Sequence, residues 1–144
     1  MEGVTLHKLK QIIVPKGDIF HILKSTDEGY VGFGEAYFSQ IESGEVKGWK
    51  RHNHFTLNLV VPIGSVKFII YDDRLDSETN GQFKEFVLSP NRNYSRLCIE
   101  PGLWVAFAGI GDGYSLLLDI IDEVHNPNEA DKKELNEIPY NFNL

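Results

Sequence analysis

The chain has 144 residues, 42% of them hydrophobic, with 14 Lys and Arg against 21 Asp and Glu and a formal charge of -7. That length suits one ordinary domain, and so acidic a balance argues against nucleic acid as a partner, because phosphate binding draws on clustered cations. The single cysteine, Cys98, excludes an internal disulfide and a cysteine-based zinc cluster and fits a reducing compartment. No apolar run approaches the about 20 residues of a membrane helix, and the amino terminus lacks a signal-peptide pattern. The expectation is a cytoplasmic protein, away from membranes, whose one domain covers residues 1–144.

Along the chain, strand-like segments alternate with turn signals. Ile19–Leu23 follows Lys16-Gly17-Asp18, and Tyr30–Gln40 precedes Glu42-Ser43-Gly44. In Phe55–Val61 every odd position is apolar, the signature of a strand with one face buried. After Pro62-Ile63-Gly64 the pattern resumes at Val66, Phe68 and Ile70. Phe83–Leu88 lies between Thr79-Asn80-Gly81 and Ser89-Pro90-Asn91, Leu97 and Ile99 come before Pro101-Gly102, and Tyr114–Ile121 reads as a central strand. Gly109–Gly113 lacks the helix and the Lys-Ser/Thr pair of a phosphate loop and reads as a hairpin turn. Many short strands at close spacing predict an all-β sandwich or barrel. Only Asn128–Leu135, rich in Glu and Lys behind a capping Asn128, predicts a short carboxy-terminal helix, with Ile138-Pro139-Tyr140 extended beyond it.

The richest chemistry sits in Lys47-Gly48-Trp49-Lys50-Arg51-His52-Asn53-His54, at the start of the clearest strand. On an extended chain Lys50, His52, His54, Thr56 and Asn58 share one face, and Arg51, Phe55, Leu57 and Leu59 share the other. Such a polar column is either a solvated surface or the lining of a ligand cavity in a small barrel. His-x-His on a strand also suits a metal. Here the chain resembles the metal-binding cupins, with Gly48, His52, His54 and Gly64 in order. However, Asn58 stands in place of the family's Glu, and no histidine follows Glu100-Pro101-Gly102. Two imidazoles and an amide make a poor divalent site.

The chain more closely resembles the sugar-nucleotide branch of the cupins, the dTDP-4-dehydrorhamnose 3,5-epimerases and dTDP-4-keto-6-deoxyglucose 3,4-ketoisomerases. The likeness runs over residues 14–127. It rests on Gly17-Asp18, Gln40, Lys47-Gly48-Trp49-Lys50, Tyr71-Asp72-Asp73-Arg74, Leu88-Ser89-Pro90-Asn91 and Ile99 through Phe107. It implies a cupin jelly roll, a homodimer, a nucleotide-linked sugar as ligand, and isomerase or epimerase chemistry with no metal or organic cofactor. The departures fall on the chemistry. Lys50 stands where the epimerases carry their base histidine, and Val105 replaces a second histidine. Ile121-Asp122-Glu123-Val124-His125-Asn126-Pro127 replaces the segment with the proton-donating tyrosine, and Phe20, beside His21, replaces the phosphate-binding arginine. Against the Gly-Phe-His-Ala-His of the ketoisomerases, Lys50 replaces the first histidine and His52 matches the second.

Moving a proton beside a sugar ketone needs a base near working pH and a donor for the enolate oxygen. His52 is the first candidate base and His54 the second, since imidazole titrates near neutrality. Lys50 stabilises the enolate or, desolvated, acts as base itself. Tyr37, Tyr71 and Tyr114 are candidate proton donors. Arg51, Arg74 and Arg96 would hold a diphosphate, Trp49 and Trp104 would stack a base or sugar, and Gln40, Asn58 and Tyr114 would complete the binding set. His7, His125 and Cys98 have no catalytic setting. Two alternatives stay open: an inactive cupin that binds a nucleotide sugar or another small anion, and a metal cupin using His52 and His54.

Overall fold

A computed structural model describes residues 1–144. Its strands are β1 (Val4–Lys8), β2 (Gln11–Ile12), β3 (Ile19–Phe20), β4 (Glu35–Ile41), β5 (Val46–His52) and β6 (Leu57–Ile63), followed by β7 (Val66–Tyr71), β8 (Phe83–Leu88), β9 (Ser95–Ile99), β10 (Trp104–Gly109), β11 (Ser115–Ile121) and β12 (Ala130–Lys132). Two five-stranded sheets form, one in the order β1-β9-β6-β11-β4 and the other in the order β12-β5-β10-β7-β8, with β2 and β3 as a separate small ribbon. Every named pairing is antiparallel. This is the expected all-β jelly roll.

The period-two pattern explains the layers. Leu57, Leu59 and Val61 of β6, Phe68 and Ile70 of β7, Leu97 and Ile99 of β9, and Leu117 and Ile121 of β11 are buried together between the sheets. Each such side chain contributes about 1.5–3 kcal/mol on leaving water. The alternate residues of the second sheet are apolar too. Trp49, Ile69, Trp104 and Ala106 form a second buried cluster with Ile138, against which Phe83, Tyr140 and Phe142 pack. The carboxy-terminal tail therefore covers the outer face of the second sheet.

Three local expectations change. The polar column from Lys50 to Asn58 is not one strand. β5 ends at His52 in the second sheet, and the chain re-enters as β6 in the first. The bend between them is held by side chains rather than by a ladder: Asn53 Nδ2 donates to the Glu129 carbonyl at 2.7 Å, and the Thr56 amide donates to Asp122 Oδ1 at 2.9 Å. Gly109–Gly113 likewise passes between sheets, from β10 to β11, and is no hairpin. The helix expected over Asn128–Leu135 is replaced by β12, which pairs with β5 at Ala130↔His52, Asp131↔Arg51 and Lys132↔Lys50. One 3-10 turn, Leu135–Glu137, is all the helix there is. Helix propensity is a weak local preference, and an open strand edge with a buried partner for Glu129 outweighs it.

The connection from β7 to β8 is organised around Asp72, which is fully buried. It accepts from Arg74 Nε and Nη2, both at 2.9 Å, from Ser77 Oγ at 2.5 Å and from Thr79 Oγ1 at 2.7 Å. Hydrogen bonds from Arg74, joined by those from Ser77 and Thr79, hold its carboxyl well below the usual range against the opposing effect of burial. Asp72→Ala is expected to cost about 2–3 kcal/mol, since a guanidinium and two hydroxyls lose their shared acceptor. The loss, read by denaturant melts at neutral pH, should shrink in acid. A depressed carboxyl stabilises the fold above its unfolded pKa, and that contribution fades as pH falls through the folded value.

Candidate functional site

A cavity of about 640 Å3 opens between the β4–β11–β6 side of the first sheet and the β5–β10 side of the second. That is ample for a small-molecule ligand. Leu57, Leu59 and Leu117 line its first wall and Val105 and Phe107 its second.

His52 closes the inner end of β5 and is buried at 7% exposure. Its Nδ1 lies 2.7 Å from Glu129 Oε2, and Glu129 is buried as well. Glu129 Oε1 accepts from the amides of His54 at 2.7 Å and Phe55 at 3.3 Å. The imidazole stacks on Phe55 with ring centres 5.4 Å apart and planes at 20°. Burial raises the Glu129 carboxyl, but the hydrogen bonds from His52 and the two amides prevail and hold it below its ordinary value. An ionised Glu129 accepts the hydrogen bond of Nδ1–H, which leaves the Nε2 lone pair free. The ring is thus fixed in tautomer and direction, as a general base requires.

Lys50 lines the same wall two residues earlier. Lys47 does so too, through a register shift between β10 and β5 that turns both lysines inward while Trp49 packs outward. Lys47 Nζ donates to the Gln40 carbonyl at 2.6 Å. Lys132 and Lys133, on and just after β12, line the rim. Glu134 and Glu137 line the cavity too, and the Lys133 ammonium lies over the outward Trp104 ring, so Lys47, Lys50 and Lys132 are the cations left for an anionic ligand. Across from them, Tyr37 of β4 and Asp119 of β11 line the first wall. Neither Asp119 nor Glu129 stood out in the sequence. Glu129 lies in the stretch that reads locally as helix, and Asp119 is one polar residue in the apolar run of β11.

The other expected residues lie elsewhere. His54 is exposed beyond the end of β5, so the two imidazoles do not converge, and no group of three or more His, Cys, Asp and Glu side chains is placed to hold a metal. The three arginines expected on a diphosphate are taken. Arg51 pairs with Asp131 at 2.8 Å and Asp73 at 3.3 Å, and Arg74 is bound to Asp72. Arg96 is buried on the far side of the first sheet, bonded to Asn58 Oδ1 and to the Glu28 carbonyl. Asn58 faces that side as well, donating to the Gly29 carbonyl at 3.1 Å, because Leu57 and Leu59 take the inner positions of β6. Gln40 alternates with Ser39 on β4 and bonds Glu42 outside the cavity. Trp104 lies on the outer face of the second sheet, its Nε1 donating to Asp73 at 2.9 Å and its ring under Arg51 and Lys133. Tyr114 is 49% exposed in a turn, and Tyr71 stacks on Phe83 outside the cavity. Of the three candidate tyrosines only Tyr37 reaches the site. The inward positions went to residues whose strand parity, set by the bend at 53–56 and the register shift in β5, could not be counted from one continuous strand.

Comparison with known proteins gives consistent relatives. The chain is 31% identical over 131 residues to the probable low-salt glycan biosynthesis epimerase Agl13 of Haloferax volcanii, covering 87% of this chain and 79% of that protein. It is 22% identical over 135 residues to the spore coat polysaccharide biosynthesis protein SpsL of Bacillus subtilis, covering 94% and 89%. A crystal structure of a dTDP sugar isomerase from Desulfovibrio desulfuricans superposes with a TM-score of 0.93 at 34% identity, covering 97% of this chain and 90% of that one. No protein-family model matches the chain.

Proposed function

We propose that this chain, which belongs to the dTDP-sugar epimerase and isomerase family of cupins, moves a proton at a carbon beside the ketone of a nucleotide-linked 4-keto-6-deoxy sugar, in glycan biosynthesis. The observation that carries the reading is the buried His52–Glu129 pair opening onto a lysine-lined cavity. His52 Nε2 is the base. Lys50, on the same strand, faces the developing enolate oxygen, where a cation lowers the barrier most. Lys47 and Lys132 meet the diphosphate in place of the arginines that the fold engages elsewhere. Val105 and Phe107 make an apolar wall that strengthens these charges. The side chains supply base and electrophile, so the reaction as proposed needs no metal or organic cofactor. A homodimer belongs to the same reading, supported by the exposed Ile13, Ile19, Phe33 and Phe38.

The test is dTDP-4-keto-6-deoxyglucose incubated with the protein in deuterated water. Deuterium is expected at a carbon beside the ketone, read by mass spectrometry. One observation favours a second reading as a non-catalytic binder: Lys50 and Val105 stand where the resemblance places histidines. Binding of dTDP in calorimetry with no deuterium uptake would decide for that reading and against catalysis.

A further inference from the structure

The chain beyond β12 touches the cavity and the back of the second sheet at once. Glu134, Leu135 and Glu137 line the cavity and are also exposed to solvent, so this 3-10 turn stands at the mouth. A few residues on, Ile138 is buried in the outer cluster, and Tyr140 and Phe142 pack on the Trp49 ring with centres 6.4 Å and 5.8 Å away. The Tyr140 hydroxyl donates to Glu85 Oε1, and Lys67 Nζ pairs with Glu85 Oε2 at 3.2 Å. Tyr140 and Phe142 themselves line no part of the cavity.

Two features set this segment apart from the walls. The first is its attachment. The Lys133 amide donates to the Trp49 carbonyl at 3.0 Å, and past it every backbone–backbone hydrogen bond of the tail is internal, from the Glu137 amide to the Glu134 carbonyl and from the Tyr140 amide to the Ile138 carbonyl. Glu134 and Glu137 turn their carboxylates onto each other's amides. The turn is therefore braced within itself and tied to the sheet by side chains alone, the kind of unit that opens without global unfolding. The second is its seat. Leu135 lies so close on Gly48 of β5 that a Cβ there would come within 2.4 Å of Leu135 Cδ2. Gly48 is not among the glycines with positive φ, so what its missing side chain provides is room for this leucine.

We propose that residues 134–142 form a gate over the mouth of the cavity, pivoting after Lys133: Leu135 on Gly48 closes it, and the anchor of Tyr140 and Phe142 on Trp49 sets the fraction of time it stands open. The inference rests on the reading of the cavity as a nucleotide-sugar site. When the anchor lifts from Trp49, Leu135 leaves Gly48 and a ligand passes beside Lys47 and Lys132. When it reseats, the bound sugar is shut from bulk water, which protects a reacting enolate. An anchor that touches no ligand changes entry and exit alike, because both pass through the same open state. Affinity is then left nearly as it was.

The test measures association and dissociation rates of dTDP on the full chain by surface plasmon resonance. Leu135→Ala, Tyr140→Ala and Gly48→Ala, whose methyl pushes Leu135 off its seat, are each expected to raise both rates about 10-fold while Kd stays within about threefold of wild type. Tyr140→Phe loses only the bond to Glu85 and should raise both rates by a smaller factor. Leu135 is exposed and Tyr140→Phe keeps the ring, so these two variants guard against loss through misfolding. Acrylamide quenching of tryptophan fluorescence reads the anchor without any ligand: Trp49 is fully buried beneath it, and Tyr140→Ala is expected to increase the quenching. Wild-type rates in Leu135→Ala and Tyr140→Ala overturn the gate and leave the nucleotide-sugar reading standing. A Kd weakened about 10-fold or more with association unchanged overturns it too, since the tail would then be a contact or a support of the bound ligand. No dTDP binding by the wild type overturns the nucleotide-sugar reading and the gate with it.

Discussion

His52→Ala is expected to lower turnover by about 100- to 10,000-fold, the range for removal of a positioned general base. The fold should persist, because the imidazole forms none of the main core and Glu129 keeps the amides of His54 and Phe55 as donors. Some stability goes with it, about 1–3 kcal/mol, for a buried carboxylate short of one donor. His52→Asn separates the two effects, since its side-chain amide can still donate toward Glu129 but cannot serve as a base. Steady-state rates and thermal melts on both variants give the answer. Activity within about threefold of wild type in either variant removes His52 from the mechanism.

Glu129 carries the second large effect, and its two variants should part company. Glu129→Ala leaves His52 Nδ1 and two amides without their acceptor, an expected loss of about 3 kcal/mol or more, with turnover falling alongside. Glu129→Gln keeps the shape and an oxygen for the amides. It loses the charge that fixes the imidazole tautomer, so turnover is expected to fall about 100-fold with a smaller change in stability. The pH dependence has a definite sign. The Glu129 carboxyl is held low in the folded chain, so its stabilising contribution is present above the unfolded value of about 4.3 and fades as pH falls through the folded one. Wild type should therefore outlast Glu129→Gln at neutral pH and lose that margin in acid. A margin that grows toward low pH would contradict the ionised pair.

The site was partly legible. His52 and Lys50 stood out because imidazole and amine on one strand parity are uncommon, and β5 does turn both toward the cavity. Gln40, Arg51, Asn58, Arg74, Arg96 and Trp104 were drawn from motif positions or by charge and ring type alone. Nothing in their local sequence reveals that Asp72, Asp73 and Asp131 engage the cations of Arg51 and Arg74, or that the 28–29 segment covers Arg96. Lys132 and Lys133 were visible as residues but read as a solvated helix. Their place at the rim follows from β12 pairing with β5.

Alternating apolar residues and frequent turns were enough to establish an all-β sandwich, because burial on a pleated strand has a period of two and that period is written in the chain itself. The partnerships across the molecule had to wait for the folded chain. Glu129 lies 77 residues from His52 and Asp119 lies 82 from Tyr37. Strand order and register bring such groups within hydrogen-bond reach, and both arise from how two sheets close on each other. Local pattern carries one residue's preference for inside or outside. It carries no record of which distant residue will stand opposite.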